Sequence, residues 1–382
     1  MAKLGELYSI TSGGTPSRKH PEYFEDGTIS WVKTGDLKDK YLYITDEKIT
    51  QKALDNSSAK LYPAETVLIA MYGATIGATS ILKIDAATNQ ACAAFVKRDD
   101  ILPQYLHAFL ESQRERFIRE AVGGAQPNIS AGYLKKIDFP MCSMKKQKEV
   151  TTVLELLSNL INYRKLQLEK LDELVKSRFV EMFGRVCDNK YSYEVKSLQD
   201  VCEKIKDGTH QTPKYTDDTV SGYKFLSSKD VTTGRINWEH IKYIPEELHN
   251  ELYAKIAPRR GDILLAKNGT TGIAAIVDTD EVFDIYVSLA LLRPVDLNSV
   301  YLWAAINSYE TKQQFDASLK GVGVPNLHLG EIKKTRILVP PLDLQNQFAD
   351  FVAQVDKSKL AVQKSLEQLE ILKKSLMQAY FG

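Results

Sequence analysis

The chain has 382 residues, of which 43% are apolar and 26% are charged, and its 50 Lys and Arg nearly balance its 49 Asp and Glu. This composition is typical of a globular protein with two or three domains. The net charge of +1 excludes a surface that is basic throughout, so any basic patch must be local.

The first residues are not followed by the apolar segment of a secretory signal, and the longest apolar stretch, residues 67–82, contains Gly73 and Gly77. Such interruptions favour two strands joined by a turn over a membrane span. The four Cys residues show neither CxxC spacing nor a His at metal-ligand spacing, which is typical of reduced thiols. We therefore expect a cytoplasmic protein without a metal site.

The two halves of the sequence repeat each other with few insertions. The matched segments are Gly14-Thr15 with Gly208-Thr209 at a spacing of 194, Tyr105 with Tyr301 at 196, and Phe183-Gly184 with Phe381-Gly382 at 198. Self-similarity at a spacing that drifts by only four residues indicates an internal duplication. The duplication predicts a pseudo-dimer, which can bind a target that has two parts.

Each half opens with a mixed region, residues 4–142 and 198–341. Runs bounded by Gly, Pro, Asp and Asn are predicted as strands, for example Ile29–Val32, Val67–Ala70 and Ile263–Ala266. One amphipathic helix follows in each half, at residues 103–122 and 299–319, and Pro103 suits a first helical position.

A long helix then closes each half, at residues 146–183 and 344–380, with no Gly or Pro inside either stretch. At 1.5 Å per residue, each helix is on the order of 50 Å long. One small domain cannot bury a helix of that length, so each helix needs a partner along its axis.

Apolar side chains recur along both helices at alternating spacings of four and three residues, as in a coiled coil. The predicted seam comprises Leu154, Leu157, Ile161, Leu168, Leu171, Val175, Val352, Val355, Val362, Leu366, Leu369 and Leu376. Its polar interruptions, Arg164, Arg178, Lys359 and Lys373, fall at different positions of the two repeats, which favours pairing between the helices over self-pairing. Pseudo-twofold symmetry favours an antiparallel pair. The alternative is that each helix packs separately on its own domain.

The predicted fold is therefore α+β. It has two similar mixed α/β domains, separated by two long antiparallel coiled-coil helices and related by a pseudo-twofold internal repeat. The predicted divisions are a first domain at residues 1–143, a helix at 144–184, a linker at 185–197, a second domain at 198–341 and a C-terminal helix at 342–382.

No catalytic constellation is recognisable in the sequence. A P-loop, a His-Glu-x-x-His helix, a Gly-x-Ser-x-Gly elbow and the tetrapeptide of adenine methyltransferases are all missing. The glycine-rich stretches at residues 73–77 and 269–272 have no following Lys, and we interpret them as tight turns between strands. We predict no catalytic residue, although an enzyme with an unrecognised active site remains an alternative.

Binding chemistry is concentrated in four loops that recur at matched positions: residues 15–20 and 209–214, 33–36 and 227–230, 72–75 and 268–271, and 126–128 and 325–328. Such polar and basic side chains contact phosphates and read base edges in the major groove. The candidate DNA-contact residues are Thr15, Ser17, Arg18, Lys19, Lys33, Thr34, Tyr72, Thr75, Gln126, Asn128, Thr209, His210, Gln211, Thr212, Lys214, Ser228, Lys229, Lys267, Asn268, Thr270, Asn326 and His328.

The repeats share framework residues but differ inside these loops, as expected of two readers of different half-sites. The alternative is that the loops are ordinary surface turns. The net charge of +1 is unusual for a free-standing DNA binder, so either the basic surface is local or a partner supplies much of the phosphate contact.

The sequence resembles the specificity (S) subunits of type I restriction–modification enzymes over nearly its whole length. The resemblance lies in residues 124–130 (Gly-Ala-Gln-Pro-Asn-Ile-Ser), in residues 339–342 (Val-Pro-Pro-Leu) with Gln345, and in the Phe-Gly that ends both long helices. The family's Pro-Pro-Leu-x-x-Gln segment is present at residues 340–345. The first repeat departs from it at residues 140–147, so the start of the first long helix, near Met144, is expected to differ.

The resemblance implies two target-recognition domains held apart by the helix pair, each reading one half of a bipartite, asymmetric sequence of double-stranded DNA. It implies two methyltransferase (M) subunits as partners, with restriction (R) subunits able to join. S-adenosylmethionine, ATP and Mg are then expected on those partner subunits, with no cofactor bound by this chain. Domains that face one side of B-DNA should lie about 34 Å, or about 10 bp, apart. The specificity subunit of a type IIB or related system is the closest alternative.

Overall fold

The computed structural model describes residues 1–123, 127–319 and 326–382, so the candidate contact residue Gln126 lies outside the described residues. The chain forms two compact units. Unit 1 combines Met1–Lys165 with Lys364–Gly382, and unit 2 is Leu166–Gln363. This division differs from the predicted one, because each long helix contributes to both units.

Unit 1 contains eleven strands among its described residues. They are β1 (Ala2–Lys3), β2 (Thr11–Ser12), β3 (Ile29–Val32), β4 (Tyr41–Leu42), β5 (Glu47–Ile49), β6 (Leu61–Tyr62), β7 (Val67–Ala70), β8 (Thr79–Leu82), β9 (Ala86–Thr88), β10 (Cys92–Phe95) and β11 (Asp138–Phe139). Its helices are α1 (Leu4–Leu7), α2 (Gln51–Asp55), α3 (Pro103–Ser112), α4 (Arg114–Glu120), α5 (Ala131–Lys135) and the first part of α6 (Met144–Phe183). The strands form sheets β2-β10-β7-β8-β4 and β5-β3-β9-β6 and the pair β1-β11.

Unit 2 contains nine strands in its described part. They are β12 (Glu194–Ser197), β13 (Cys202–Asp207), β14 (Tyr223–Leu226), β15 (Lys242–Ile244), β16 (Ile263–Ala266), β17 (Ala274–Ile276), β18 (Phe283–Ile285), β19 (Leu289–Pro294) and β20 (Arg336–Val339). Its helices are α7 (Leu198–Val201), α8 (Glu246–Lys255), α9 (Ser299–Ile306), α10 (Tyr309–Ser318), α11 (Leu329–Lys334) and the first part of α12 (Leu342–Phe381). The sheets are β13-β19-β16-β17, β15-β14-β18 and the pair β12-β20.

The strand pairing of unit 1 recurs in unit 2. Strand β10 lies antiparallel between β2 and β7, as β19 lies between β13 and β16. Strand β3 lies parallel to β9 and antiparallel to β5, as β14 does to β18 and β15. This confirms the internal repeat and the α+β fold class.

Two local predictions are wrong. Each predicted amphipathic helix is divided in two, into α3 and α4 and into α9 and α10. In unit 2 the break is stabilised by Ser308, whose hydroxyl accepts from Thr311 N as a new N-cap. The predicted linker at residues 185–197 also ends in strand β12, which pairs with β20.

The two long helices begin in the same way, contrary to the expected difference at Met144. The starts of α6 and α12 are 198 residues apart. Gln147 and Gln345 are both buried. Gln147 accepts from Leu102 N at 2.8 Å and donates to Cys142 O at 3.0 Å, and Gln345 makes the matching bonds to Asn298 N and Pro340 O. A buried glutamine therefore anchors both helices, whatever the preceding residues.

In each unit, segments of α6 and α12 run antiparallel. In unit 1, Lys146 lies over the ring of Tyr380 while Lys165 pairs with Glu370. In unit 2, Asp172 pairs with Lys359, and Phe179 packs on Phe348. In both units, residue numbers rise along one helix as they fall along the other.

All twelve predicted seam residues are buried or partly buried. Among the polar interruptions, Arg178, Lys359 and Lys373 form ion pairs, the last with Glu111 of α3 at 3.1 Å.

The phenylalanines of the two Phe-Gly ends lie in the cores of the units. Phe381 belongs to the core cluster of unit 1, where its ring lies 5.3 Å from that of Tyr105. Phe183 belongs to the core of unit 2, where its ring lies 4.8 Å from that of Tyr301. Each helix thus begins on the domain that precedes it and ends in the core of the other unit. Among the described residues, no helix has the length and hydrophobicity needed to span a bilayer.

Candidate nucleic-acid interface

In unit 1 the predicted loops meet at a junction formed by residues 89–91, directly after β9. Asn89 N donates to Val32 O at 2.9 Å, next to the second loop. The Thr15 hydroxyl of the first loop bonds to the side chain of Gln90. Met71 N, beside the third loop, donates to Ala91 O at 2.8 Å. Three loops that are distant in sequence are therefore held side by side.

The third and fourth loops of unit 1 are joined directly. Tyr72 and Asn128 form an antiparallel bridge. Gly73 N donates to Pro127 O at 3.0 Å, and Ile129 N donates to Met71 O at 2.9 Å. Tyr72 is exposed and Asn128 half-buried. Both can present polar atoms to a ligand on the same surface.

Basic side chains of the first two loops share one carboxylate. Lys33 Nζ lies 2.7 Å from Glu47 Oε1, and Arg18 pairs with the other oxygen of Glu47. The hydrogen bonds from Lys33 and then Arg18 lower the pKa of Glu47. The Arg18 guanidinium also lies 4.2 Å from the ring centre of Phe24. These contacts hold Arg18 and Lys33 in place, while Lys19 remains exposed.

Unit 2 has the same junction at residues 286–288, 197 positions later. Tyr286 N donates to Leu226 O and Lys267 N donates to Ser288 O, both at 2.8 Å. These two bonds repeat those of Asn89 and Met71 in unit 1. Ser228 N donates to the hydroxyl of Ser288 at 3.0 Å, and residues 209 and 286 form a bridge. The first, second and third loops therefore converge here as well.

The third and fourth loops of unit 2 also meet as in unit 1. Asn268 and Asn326 form an antiparallel bridge, and Leu327 N donates to Lys267 O at 2.9 Å. His328 follows and is exposed. The backbone framework of the interface is thus duplicated, whereas the side chains that it presents differ.

The structure shifts the predicted pairing of the first loops by one residue. A Cβ on Gly13 would lie 1.9 Å from Thr88 O, and one on Gly208 would lie 2.0 Å from Ile285 O. Thr88 and Ile285 end β9 and β18, so Gly13 is the counterpart of Gly208. The prediction that equated Gly14 with Gly208 is therefore wrong. Glycine is required at both positions because a carbonyl group occupies the space of a side chain.

Lys267 is an exception among the candidate contact residues. It is only 5% exposed, and its Nζ lies 2.6 Å from Asp207 Oδ2. Binding a phosphate would require this buried ion pair to break. Lys267 therefore stabilises the first and third loops of unit 2 and does not present a free charge.

The other described candidates lie at the surface or partly within it. The exposed ones are Thr15, Ser17, Arg18, Lys19, Tyr72, His210, Gln211, Thr212, Lys214, Lys229, Thr270 and His328, and the half-buried ones are Lys33, Thr34, Thr75, Asn128, Thr209, Ser228, Asn268 and Asn326.

Sequence reasoning missed the junction residues Asn89, Gln90, Tyr286 and Ser288. Repeat comparison could not find them, because their side chains differ between the halves. The one available signal was the polar pair Asn89-Gln90 between buried alanine-rich strands. Within the described ranges, no group of three or more His, Cys, Asp or Glu side chains is placed to hold a metal ion.

The comparisons with known proteins agree with this duplicated architecture. Residues 1–172 and 191–371 match the family described as type I restriction modification DNA specificity domain. The MjaIX type I restriction enzyme specificity subunit of Methanocaldococcus jannaschii is 24% identical over 396 residues, which cover 98% of this chain and 90% of that protein. The MjaVIII specificity subunit of the same organism is 23% identical over 400 residues, covering 99% and 90%.

Two solved structures share the fold over nearly their whole length. A structure concerned with assembly and conformational transition of the type I R-M system has a TM-score of 0.65 at 16% identity, covering 100% of this chain and 96% of that one. The S subunit of the type I restriction–modification system from M. genitalium has a TM-score of 0.54 at 14% identity, covering 100% and 95%.

Proposed function

Because the chain belongs to the family of type I restriction–modification DNA specificity domains, we propose that it is the specificity subunit of such a system and that each unit reads one half of a bipartite DNA target. The observation that carries the proposal is the duplicated junction. In both units, matching backbone bonds hold the second and third loops at residues 89–91 or 286–288 and join the third loop to the fourth. The first loop reaches the same junction, through the side chain of Thr15 in unit 1 and a backbone bridge at residue 209 in unit 2. The loops carry different side chains, as two different half-sites require.

In this proposal the chain recognises the DNA sequence, and partner subunits catalyse the reactions on the DNA. Methyltransferase subunits would supply S-adenosylmethionine and part of the phosphate contact, which fits the net charge of +1. Restriction subunits would supply the steps that depend on ATP and Mg. The purified chain should therefore neither bind S-adenosylmethionine nor methylate DNA, and either activity would favour an enzyme with an unrecognised active site.

The long helices are proposed to set the gap between the half-sites. Each helix has 40 residues, or about 60 Å. Phe183 at the end of α6 and Phe381 at the end of α12 pack in the cores of the units. Both helix ends are therefore held in place. A fixed helix length then translates into a fixed number of unread base pairs.

The test of the function is to map methylation in DNA modified by the chain together with its methyltransferase partner. We expect two short blocks separated by unread bases. Exchanging residues 209–214 for a different sequence should alter one block only, because that loop belongs to unit 2 alone. A contiguous target, or a change in both blocks, would contradict the proposal.

An exposed apolar stripe on α6 is the proposed docking surface for a methyltransferase subunit. Val153, Leu156, Leu160 and Tyr163 are spaced three or four residues apart and are 37–68% exposed. They lie on a different face from the seam residues Leu154 and Leu157. Such a stripe suits a helical partner that packs along α6.

Replacing Leu156 and Tyr163 together by Glu should weaken binding of the methyltransferase subunit by about tenfold or more, because burial of one such side chain contributes about 1.5–3 kcal/mol. Binding is measured by titration of the purified subunits. Asn162→Glu is the matched control, since it adds charge to an exposed position outside the stripe. Equal binding by the double variant and the control would rule out this surface.

A further inference from the structure

The junction of each unit is a tight turn between two strands. In unit 1 the turn spans residues 89–92, between β9 and β10, and in unit 2 it spans residues 286–289, between β18 and β19. A backbone bond from the fourth residue to the first closes each turn, at 3.3 Å in unit 1 and 2.9 Å in unit 2. Gln90 and Val287 therefore occupy the same position, the first of the two central residues of the turn.

This position, the turn tip, lies where three loops meet. In unit 1 the residues on either side of Gln90 bond to the chain beside the second and third loops, and Gln90 itself bonds to Thr15 of the first loop. In unit 2 the residues on either side of Val287 make the matching backbone bonds, and Val287 N donates to Thr209 O of the first loop at 3.0 Å. A side chain at the turn tip is therefore surrounded by candidate DNA contacts.

Gln90 is exposed, and its amide group is only partly used within the protein. The Thr15 hydroxyl donates to Oε1, while Nε2 has no hydrogen-bond partner among the described residues. An amide oxygen can accept two hydrogen bonds. The turn beneath is braced by Asn89 Oδ1, which accepts from Ala91 N at 3.1 Å. Gln90 therefore presents two donors and one remaining acceptor position in an orientation that Thr15 holds.

The chemistry of the turn tip suits a base edge, in contrast to the basic side chains of the neighbouring loops. Arg18, Lys19 and Lys33 suit phosphates, which position DNA but carry no sequence information. A neutral amide with a donor and an acceptor matches the N7 and N6 groups of adenine in the major groove. Val287 is half-buried and has an apolar side chain, which suits the methyl group of thymine.

We propose that the turn tip is a specificity-determining position in both units. Gln90 reads an adenine in the half-site of unit 1, and Val287 contacts a thymine methyl group in the half-site of unit 2. The assignment rests on the proposed function, because it takes each unit as the reader of one half-site. The turn tip lies outside the four loops, and its two side chains differ as two different half-sites require.

The test is binding-site selection with the full chain and its methyltransferase partner. In Gln90→Val, one position of one block should change from adenine to thymine, while the other block stays as in the wild type. In Val287→Gln, one position of the other block should change from thymine to adenine. Discrimination at each altered position should be about tenfold or more, as for other direct base contacts.

Gln90→Ala only truncates an exposed side chain, so it decides the question if Gln90→Val does not fold. It should remove the adenine preference without introducing another. Gln378→Val is the matched control, because it makes the same replacement at an exposed glutamine on α12 of unit 1, and both blocks should be retained. If Gln90 only held Thr15 in place, its variants would bind every sequence more weakly and prefer the same bases as the wild type.

The assignment and the proposed function can fail separately. Two blocks that keep every base in the Gln90 variants would overturn the assignment of Gln90 and leave the proposed function intact. An altered position that is not adenine in the wild type, or alteration of the same block by the Gln90 and Val287 variants, would also overturn the assignment. A wild-type target without two blocks would contradict the proposed function, and the assignment with it.

Discussion

Removing one heptad from each long helix is expected to abolish binding to the natural target and to create a preference for a shorter gap. Deletion of residues 161–167 and 359–365 shortens both helices by about 10 Å, which corresponds to about three base pairs. Seven residues are nearly two full turns, so the faces of the helices keep their orientation. Affinity for the natural gap should fall about a thousandfold or more, towards the non-specific level.

Binding-site selection with the methyltransferase partner measures the new gap. The control is deletion of residues 161–167 alone, which leaves the helices unequal and should lower the affinity for every gap. An unchanged gap in the double deletion would show that the helices do not set the spacing. That result would leave unaffected the proposal that each unit reads its own half-site.

Substituting either terminal phenylalanine should destabilise one unit selectively. Phe183→Ala removes a ring that packs on Tyr301 and Phe348 in unit 2. Phe381→Ala removes a ring that packs on Tyr105 and Phe109 in unit 1. Each should lower the free energy of unfolding by about 3–5 kcal/mol, the usual cost of deleting a buried aromatic ring. Hydrogen exchange followed by mass spectrometry assigns the loss to one unit.

Val180→Ala and Gln378→Ala are the controls, because both positions are exposed and lie on the last turns of α6 and α12. Each should change the free energy of unfolding by about 0.5 kcal/mol or less. If Phe381→Ala raised exchange only in unit 2, the placement of the α12 end in the core of unit 1 would be wrong.

Local patterns predicted the elements whose signal lies within a few residues. Ile29–Val32, Val67–Ala70 and Ile263–Ala266 are strands with the predicted bounds. Gly73 and Gly77 both have positive φ in the turn between β7 and β8, where the pattern predicts one. The breaks inside the amphipathic helices were missed. In unit 2 the cap at Ser308 is local, since its hydroxyl accepts from Thr311 N, but the bonds of Asn307 to Ala274 depend on a tertiary neighbour.

The candidate interface was predicted only in outline. The loops were recognised because polar residues recur at matched positions of the two halves. The junction residues that join them, such as Asn89 and Tyr286, differ in chemistry between the halves and gave no repeat signal. Lys267 was predicted to be available for DNA, but nothing in the local sequence indicates that Asp207 would bury and pair it.

The sequence alone determined the duplication, the α+β class and the family, because repeated residues and heptad spacing are one-dimensional patterns. Tertiary structure decided which groups share a surface and which are removed from water. Strand pairing brings residues 15, 90, 72 and 128 together across more than a hundred positions of chain. Burial likewise gives Lys267 a role that an identical side chain on an exposed loop would not have, because a charge without water must find a partner.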